Sequence, residues 1–512
     1  MVEGVQEGAI RVFKGIPYAA PPIGALRWQT PQPALAWAGV KRADTFSPIC
    51  PQNGAYPPES PPEPMSEDCL TLNVWSPVGA TKLPVMVWIY GGGLENGSGS
   101  TPLYAGDKLA QRGVVVVTFN YRLGVLGFLA HPELSKESGN ARSGNYGFLD
   151  QIAALAWVHR NIAAFGGDPG NVTIFGQSSG SISISALIAS PLAKGLFRRA
   201  IGQSGGLFEP LELDPGFALA GAELEGESFV RRAGGKSVAA LRQLPAEQLL
   251  KTRFIPHFNV DGFALTKPPF DAYRDGVQSD VDLLLGTNAD EGQFFLDKTN
   301  VTVANFNDVL SRDFPGWLVW LSGATPGATD GEARASAAAL EGDMRFRWDM
   351  WAWARLAAKA GRRNVYFYQF SRTPPFQPAD RYHGLGATHG MEMPYVFDHL
   401  EQQQVAWMAK DRELASIIPA YWTNFAITGD PNGAGLPRWQ DFRGAPNEVM
   451  NLGDTIGPRT IPDIGRLERI DQIYGVARFV ASNMTAVIAS VLALGLAVLV
   501  GLFFGVRRLL RR

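Results

Sequence analysis

Cysteine and histidine are both scarce in this 512-residue chain, and the two shortages narrow its chemistry in different ways. Cys50 and Cys69 are the only thiols. Two cysteines alone do not separate a disulfide in an oxidising compartment from free thiols in a reduced one. Six histidines leave few candidates for a catalytic base. Charge of one sign is not in excess either: 46 Lys and Arg against 48 Asp and Glu give a formal net charge of −2. That balance leaves no basic footprint for nucleic acid and no acidic tail. Before Met484 there is no long linker, internal repeat or low-complexity block, so residues 1–474 read as one large domain. Met1–Ile10 also lacks the basic and apolar regions of an export signal, which we ascribe to a shortened start.

The composition, 46% hydrophobic and 18% charged, is that of a globular chain long enough to bury a large core. Apolar, β-rich runs at Val85–Ile89, Val114–Asn120, Val172–Phe175, Leu283–Leu285 and Val365–Phe370 alternate with helical patterns at Leu149–Phe165, Ser181–Ala193 and Glu332–Ala360. Near-continuous hydrophobic strands separated by helices predict an α/β fold with a mostly parallel sheet covered on both faces. In such sheets function gathers at the carboxyl ends of strands. Pro210–Val260 and Ser371–Ala387 read as excursions able to wall a pocket there.

One segment departs from this pattern. Met484–Val506 contains no charged residue and is about 34 Å long as a helix, enough to cross a hydrocarbon core of about 30 Å. Arg507, Arg508, Arg511 and Arg512 follow it, which predicts a membrane span with a basic cytoplasmic tail and everything before Met484 outside. Residues 475–483 would be a short linker.

Phe175-Gly176-Gln177-Ser178-Ser179-Gly180 lies between a β-branched stretch and a helix-compatible one, the layout of a nucleophile elbow. With 57 glycines in the chain the pattern G-x-S-x-G is weak by itself, and it recurs at Gly202-Gln203-Ser204-Gly205-Gly206. Only Ser178 is followed by a run fit to open a helix; Ser204 leads into Gly205-Gly206-Leu207-Phe208-Glu209-Pro210. Ser178 is therefore the candidate nucleophile.

A serine hydroxyl needs a base and an acid to orient that base, and in the hydrolase order Ser, acid, His both lie downstream. The strand Leu283–Leu285 leads into a turn that offers Asp290 or Glu291, which rules out His257 as the base. His383 and His389 both follow the next strand, in a glycine-containing loop, and pattern does not choose between them. The strand ending at Tyr90 runs into Gly91-Gly92-Gly93, whose backbone amides can approach a developing oxyanion.

With these motifs in place, the chain resembles the type-B carboxylesterases, the family that also includes cholinesterases and neuroligins. The resemblance rests on Phe13-Lys14-Gly15-Ile16-Pro17-Tyr18-Ala19, Ser66-Glu67-Asp68-Cys69-Leu70, Trp88-Ile89-Tyr90-Gly91-Gly92-Gly93, Gly144–Gln151, Phe165-Gly166-Gly167-Asp168-Pro169, Asn288-Ala289-Asp290-Glu291-Gly292 and His389-Gly390-Met391-Glu392, and spans nearly the whole chain. It implies an α/β-hydrolase fold and a serine esterase acting on a small-molecule ester, with no metal or organic cofactor. It also implies a triad of Ser178, Glu291 and His389, oxyanion donors at Gly92, Gly93 and Ser179, and a Cys50–Cys69 disulfide. Ser204, Gln177 and Glu392 would support the triad from behind. Neuroligin-like adhesion is the alternative, and the presence of the triad residues weighs against it.

The family's usual elbow is Gly-Glu-Ser-Ala-Gly, so Gln177 and Ser179 are departures. Losing the Glu carboxylate should weaken preference for a cationic alcohol. Between the two cysteines Tyr56 is the only aromatic residue, which argues against choline esters. Phe294 and Phe295, with Leu94, Leu207 and Phe208, are candidate pocket residues. Together these features predict uncharged, hydrophobic esters.

Overall fold

The computed structural model describes residues 1–55, 62–211, 214–296, 299–361 and 363–485. Its strands are β1 (Val2–Glu3), β2 (Val5–Glu7), β3 (Ile10–Pro17), β4 (Lys41–Arg42), β5 (Thr71–Pro77), β6 (Leu83–Ile89), β7 (Val115–Phe119), β8 (Gly167–Gln177), β9 (Arg199–Gln203), β10 (Asp282–Asn288), β11 (Val365–Phe370), β12 (Glu448–Leu452) and β13 (Ile456–Thr460). Eleven of them form one sheet in the order β13-β12-β11-β10-β9-β8-β6-β7-β5-β3-β2, while β1 and β4 pair separately.

The sheet is mixed. From β12 to β7 all neighbours are parallel, and this stretch carries the apolar runs. The pairs β12–β13, β7–β5, β5–β3 and β3–β2 are antiparallel. The unbroken Val/Ile/Leu content of β6, β7 and β10 follows from position: each is a central strand covered on both faces, and their residues from Val85 to Ile89, Val115 to Phe119 and Asp282 to Asn288 are buried.

The helices that matter for the site are α1 (Tyr146–Asn161), α2 (Ser179–Ala189), α3 (Gly316–Ser322), α4 (Asp330–Gly342), α5 (Trp348–Ala360), α6 (Ala409–Thr428) and α7 (Ile464–Ser482). Helix α1 begins at Asn145, a left-handed residue (φ 54°) whose side-chain amide donates to Asn259 O at 2.8 Å and to Asp261 at 3.1 Å. That pair of bonds ties down the far end of the Pro210–Val260 excursion, which itself contains helices at Leu219–Arg232, Val238–Arg242 and Ala246–Leu250. Asp150 and Arg122 form a buried bidentate ion pair (2.8 Å for both contacts), and the next residue, Gln151, donates to Ser183 Oγ at 3.1 Å. The Gly144–Gln151 motif is thus a structural one, joining α1 to the helix behind the elbow.

Two expectations are corrected. Glu332–Ala360 is not one helix: a π-helical turn, Asp343–Arg347, separates α4 from α5. Its extra residue leaves Asp343 buried, where it pairs with Arg347 at 2.9 Å and with Arg466 of α7. Residues 475–483 are not a linker either, because α7 continues unbroken to Ser482. It does so because Tyr474 and Arg478 still pack on the core and leave no point at which the helix is released.

Among the described residues no helix is long and apolar enough to cross a membrane. The expected span, Met484–Val506, lies outside the described residues apart from Met484 and Thr485, as does the tail at 507–512. Cys50 and Cys69 are joined in a disulfide, with Cα atoms 5.1 Å apart.

Candidate active site

The candidate residues gather at the carboxyl ends of β6, β8, β10 and β11. Ser178 ends β8 and precedes α2 with φ 56° and ψ −128°, a conformation costly for a residue with a side chain. The serine itself, and neither flanking glycine, bears the strained backbone. The glycines are needed for closeness: a Cβ on Gly176 would lie 2.6 Å from Ile89 O, one on Gly180 2.0 Å from the same oxygen, and one on Gly91 2.6 Å from Gln177 O. The elbow is wedged against the end of β6, and only hydrogen fits between them.

The Gly91–Gly93 turn is held on the same structure. Gly92 and Gly93 have φ of 102° and 66°, and Leu94 N donates to Ser179 Oγ at 3.2 Å. Among the described residues the amides of Gly92 and Gly93 donate to no protein acceptor. They stand beside the first turn of α2, whose amides at Ser179 and beyond also lack intrahelical partners.

The acid is positioned by a close approach of two glycines. Glu291 opens a 3₁₀ turn after β10, and a Cβ on Gly292 would meet Ala338 O at 2.0 Å and Gly342 N at 2.8 Å. The turn therefore lies directly on the end of α4. Glu291 Oε2 is 2.7 Å from His389 Nδ1, and its Oε1 accepts from Asn288 N at 2.7 Å. Both partners of the Glu291–His389 pair are almost fully buried. A carboxylate partner places the proton on Nδ1 of the neutral ring and leaves Nε2 as an acceptor.

The two ambiguous neighbours do other work. Asp290 accepts from Ala387 N at 2.8 Å and donates its own amide to Ala387 O at 3.0 Å, so it fastens the loop that carries His389. His383 contacts Phe376 O at 2.9 Å through Nδ1, away from Glu291.

His389 Nε2 does not bond Ser178. It lies 3.1 Å from the buried Gln177 Nε2, and no Ser178–His389 hydrogen bond is present among the described residues. The elbow departure thus touches the base itself: the Gln177 amide donates to the lone pair that a serine proton would need.

Behind the acid runs a buried polar network. Glu392 accepts from Gln203 Nε2 at 3.0 Å and from Asn288 Nδ2 at 2.6 Å, while Trp422 Nε1 of α6 donates to Gln203 Oε1 at 3.1 Å. Burial and the neighbouring Glu291 raise the Glu392 carboxyl above its ordinary range. Asn288 joins the two acids, since its backbone serves Glu291 and its side chain Glu392.

Ser204 departs from its expected supporting role. It has φ 54°, its amide donates to Gly286 O at 2.9 Å, and its buried Oγ bonds nothing among the described residues. Its backbone is what the fold uses: a Cβ on the adjacent Gly205 would lie 2.5 Å from Ser178 O. Of the pocket candidates, Phe294 and Phe295 are half-buried and their rings lie 5.9 and 5.7 Å from His389. Phe208 is fully buried against Trp353 and Tyr273, which leaves it no surface for a ligand, and Leu94 and Leu207 are nearly as enclosed.

Sequence reasoning missed Phe346, which stacks on His389 at 4.3 Å and 13°. It is delivered by the π-helical turn, which only the isolated Gly342 before it marks in the sequence. Asn288, Gln203 and Trp422 were missed as well; Asn288 sat in a quoted motif, but only three-dimensional pairing gives it a task. Tyr56 lies outside the described residues.

Known proteins resemble this chain over most of its length. Residues 1–461 match the model of the Carboxylesterase family. The chain is 41% identical over 474 residues to the fumonisin B1 esterase of Sphingopyxis macrogoltabida, covering 89% of this chain and 85% of that one. It is 35% identical over 495 residues to the para-nitrobenzyl esterase of Bacillus subtilis (strain 168), covering 92% and 96%. A solved structure of PNB esterase superposes with a TM-score of 0.80 at 32% identity, covering 92% of this chain and 97% of that one.

Proposed function

The chain belongs to the carboxylesterase family and is a carboxylic-ester hydrolase, and on that premise we propose that it works by serine acyl transfer on uncharged, hydrophobic esters. The observation that carries the mechanism is the 2.7 Å contact between Glu291 and His389, whose Nε2 lies 3.1 Å from Gln177, the residue before the elbow serine. In the first step Ser178 Oγ attacks the ester carbonyl carbon while His389 Nε2 takes its proton, after the Gln177 amide has yielded that lone pair. Glu291 stabilises the imidazolium. The amides of Gly92, Gly93 and Ser179 hold the oxyanion, and each such donor is worth about 100- to 1,000-fold in rate. His389 returns the proton to the leaving alcohol, then activates water to release the acid from the acyl-enzyme.

The substrate preference is supported by the wall of Phe294, Phe295 and Phe346 around His389 and by the neutral amide of Gln177 where a carboxylate would attract a cation. A relative named for para-nitrobenzyl esters is in keeping with it. The test is labelling by a serine-reactive phosphonate together with a chain-length series of neutral p-nitrophenyl esters. Label and turnover should be lost in Ser178→Ala, and unchanged turnover there refutes the mechanism. A choline ester turned over faster than its neutral isostere refutes the substrate preference alone.

The uncharged run at 484–506 and the arginines after it support a further reading, a single membrane span with the catalytic domain on the extracytoplasmic side. Resistance to extraction at alkaline pH, with the domain digestible by external protease, is the expected result.

A further inference from the structure

Large apolar side chains exposed on this protein gather in two places, around Met1, Leu35, Trp37 and Val40 and on two neighbouring helices, and only the second adjoins the uncharged C-terminal run. Helix α3 seats Leu318 and Val319 in the core and turns Trp317, Trp320 and Leu321 to water, with 50%, 78% and 40% of their surfaces exposed. No residue from Phe314 to Thr329 is charged. Helix α7 packs Leu467, Ile470, Tyr474 and Arg478 inward along one stripe. Its outward stripe is polar at first, with Glu468, Arg469 and Gln472 exposed, and turns apolar only in its last two turns, against the pattern that water would select. Val476 and Phe479 lie there, 63% and 64% exposed, and Met484 follows at 46%.

The two faces adjoin. Arg469 Nη1 donates to Ser322 O at 3.2 Å, which docks the end of α3 on the outer side of α7. Val476 is two turns beyond Arg469 on the same stripe, so the tryptophan pair and the apolar end of α7 lie on one side of the domain, with the exposed polar residues Glu468, Arg469 and Gln472 between them. The chain then carries no charge from Phe479 to Val506. Exposed tryptophans beside such a run match the border between lipid headgroups and acyl chains, where an indole buries its ring and keeps its N–H wet.

We propose that the outer face of α3 and α7 rests in the interfacial layer of a lipid bilayer, fixing which side of the catalytic domain faces the membrane. The choice of a bilayer over a second copy of the chain rests on the anchor reading given above. The face also leads toward the site. Phe314, just before α3, lies 5.4 Å from the Arg345 guanidinium, which lies 4.5 Å over Phe295, a ring packed against His389. The docked side is thus the side of the domain from which the packing reaches the His389 wall.

The test uses the full chain in phosphatidylcholine–phosphatidylglycerol vesicles, labelled with an environment-sensitive fluorophore at Trp320→Cys or Phe479→Cys, with exposed Lys236→Cys as reference. The native cysteines are paired, so each variant offers one thiol. Lipids brominated near the headgroup should quench the 320 and 479 probes about threefold more than the 236 probe, with blue-shifted emission. Equal quenching at all three sites overturns the proposal. So does shielding of the 320 probe that grows with protein-to-lipid ratio while lipid quenching stays at the reference value, which assigns the face to a second copy.

Alkaline extraction separates the two readings. Retention without quenching sinks the docked face and leaves the anchor; release with quenching by readded vesicles sinks the anchor and supports the face.

Discussion

At the carboxyl edge of the sheet, polar and charged groups are enclosed where water is excluded: Glu291, His389, Glu392, Gln203 and Gln177 are all 5% exposed or less. On the face made by α3 and α7, Trp320, Val476 and Phe479 stand in water with most of their surfaces open. Both regions invert the ordinary segregation of polar and apolar side chains, in opposite senses. The first is affordable because nearly every buried group has a partner at hydrogen-bonding distance, so desolvation is offset locally. The second has no such offset among the described residues, which is what marks it as a candidate docking surface.

Substitutions separate the two kinds of inversion by the size of their effect. Ser178→Ala should lower kcat by on the order of 10⁵–10⁶-fold while leaving the melting temperature unchanged, measured by ester hydrolysis and calorimetry. Asp150→Asn should instead destabilise the fold by about 3–5 kcal/mol in denaturant titration, since it leaves the buried Arg122 guanidinium without its counter-charge.

A pH-dependent effect on stability is expected at the buried end of α7. Burial and the neighbouring Glu209 push the Asp349 carboxyl well above its usual range, burial raises Glu209 as well, and the Arg478 guanidinium only partly opposes both shifts. The folded protein keeps these protons where the unfolded chain has lost them. The stability they confer is complete below about pH 4 and is lost as pH rises through the raised folded values. Asp349→Asn keeps the acceptor that Phe208 N uses at 3.0 Å. It should match the parent's melting temperature at acid pH and exceed it at pH above neutrality; a parallel decline with pH in both proteins would assign the slope to other groups.

Gln177→Glu should produce a smaller change, a few-fold in kcat/KM at neutral pH, with the acid limb of the pH–rate profile moved upward because a carboxylate beside Nε2 favours the imidazolium. An unmoved limb would mean that the 3.1 Å contact does not persist in the working enzyme. Smallest of all, Trp320→Ser should leave both the melting temperature and turnover of a water-soluble ester within error, since nothing in the fold depends on that ring. A marked loss of stability would show that the apolar face is part of the domain's own packing.

Legibility in the sequence followed the range of the interactions concerned. The strand runs were readable because burial on both faces imposes a local pattern, and the antiparallel edges were not, because edge strands such as Val5–Glu7 and Ile456–Thr460 are short and carry no such pattern. Ser178 could be preferred to Ser204 from the helix that follows it, yet the two serines share a positive φ at the ends of adjacent strands. Pattern alone left Asp290 beside Glu291 and His383 beside His389; the bonds of Asp290 to Ala387 and of His383 to Phe376 show where the unused member of each pair went. Phe346 could not have been found, because a π-helical turn depends on where Asp343 can be paired, and its partner Arg466 lies on a distant helix.

By itself, the sequence determined the class of the sheet, the strand–turn–helix around Ser178, the glycine turn at Gly91–Gly93 and an uncharged C-terminal run. These are properties of neighbours along the chain, where sterics and periodicity act over a few residues. Tertiary structure alone decided that Gln177 Nε2 lies against His389 Nε2, that Asn288 joins Glu291 to Glu392, that Ser204 Oγ has no hydrogen-bond partner among the described residues, and that α3 docks on α7. Each of those depends on which distant side chains meet in a space without water, and a hydrogen bond across some hundred residues of chain leaves no mark on the sequence between.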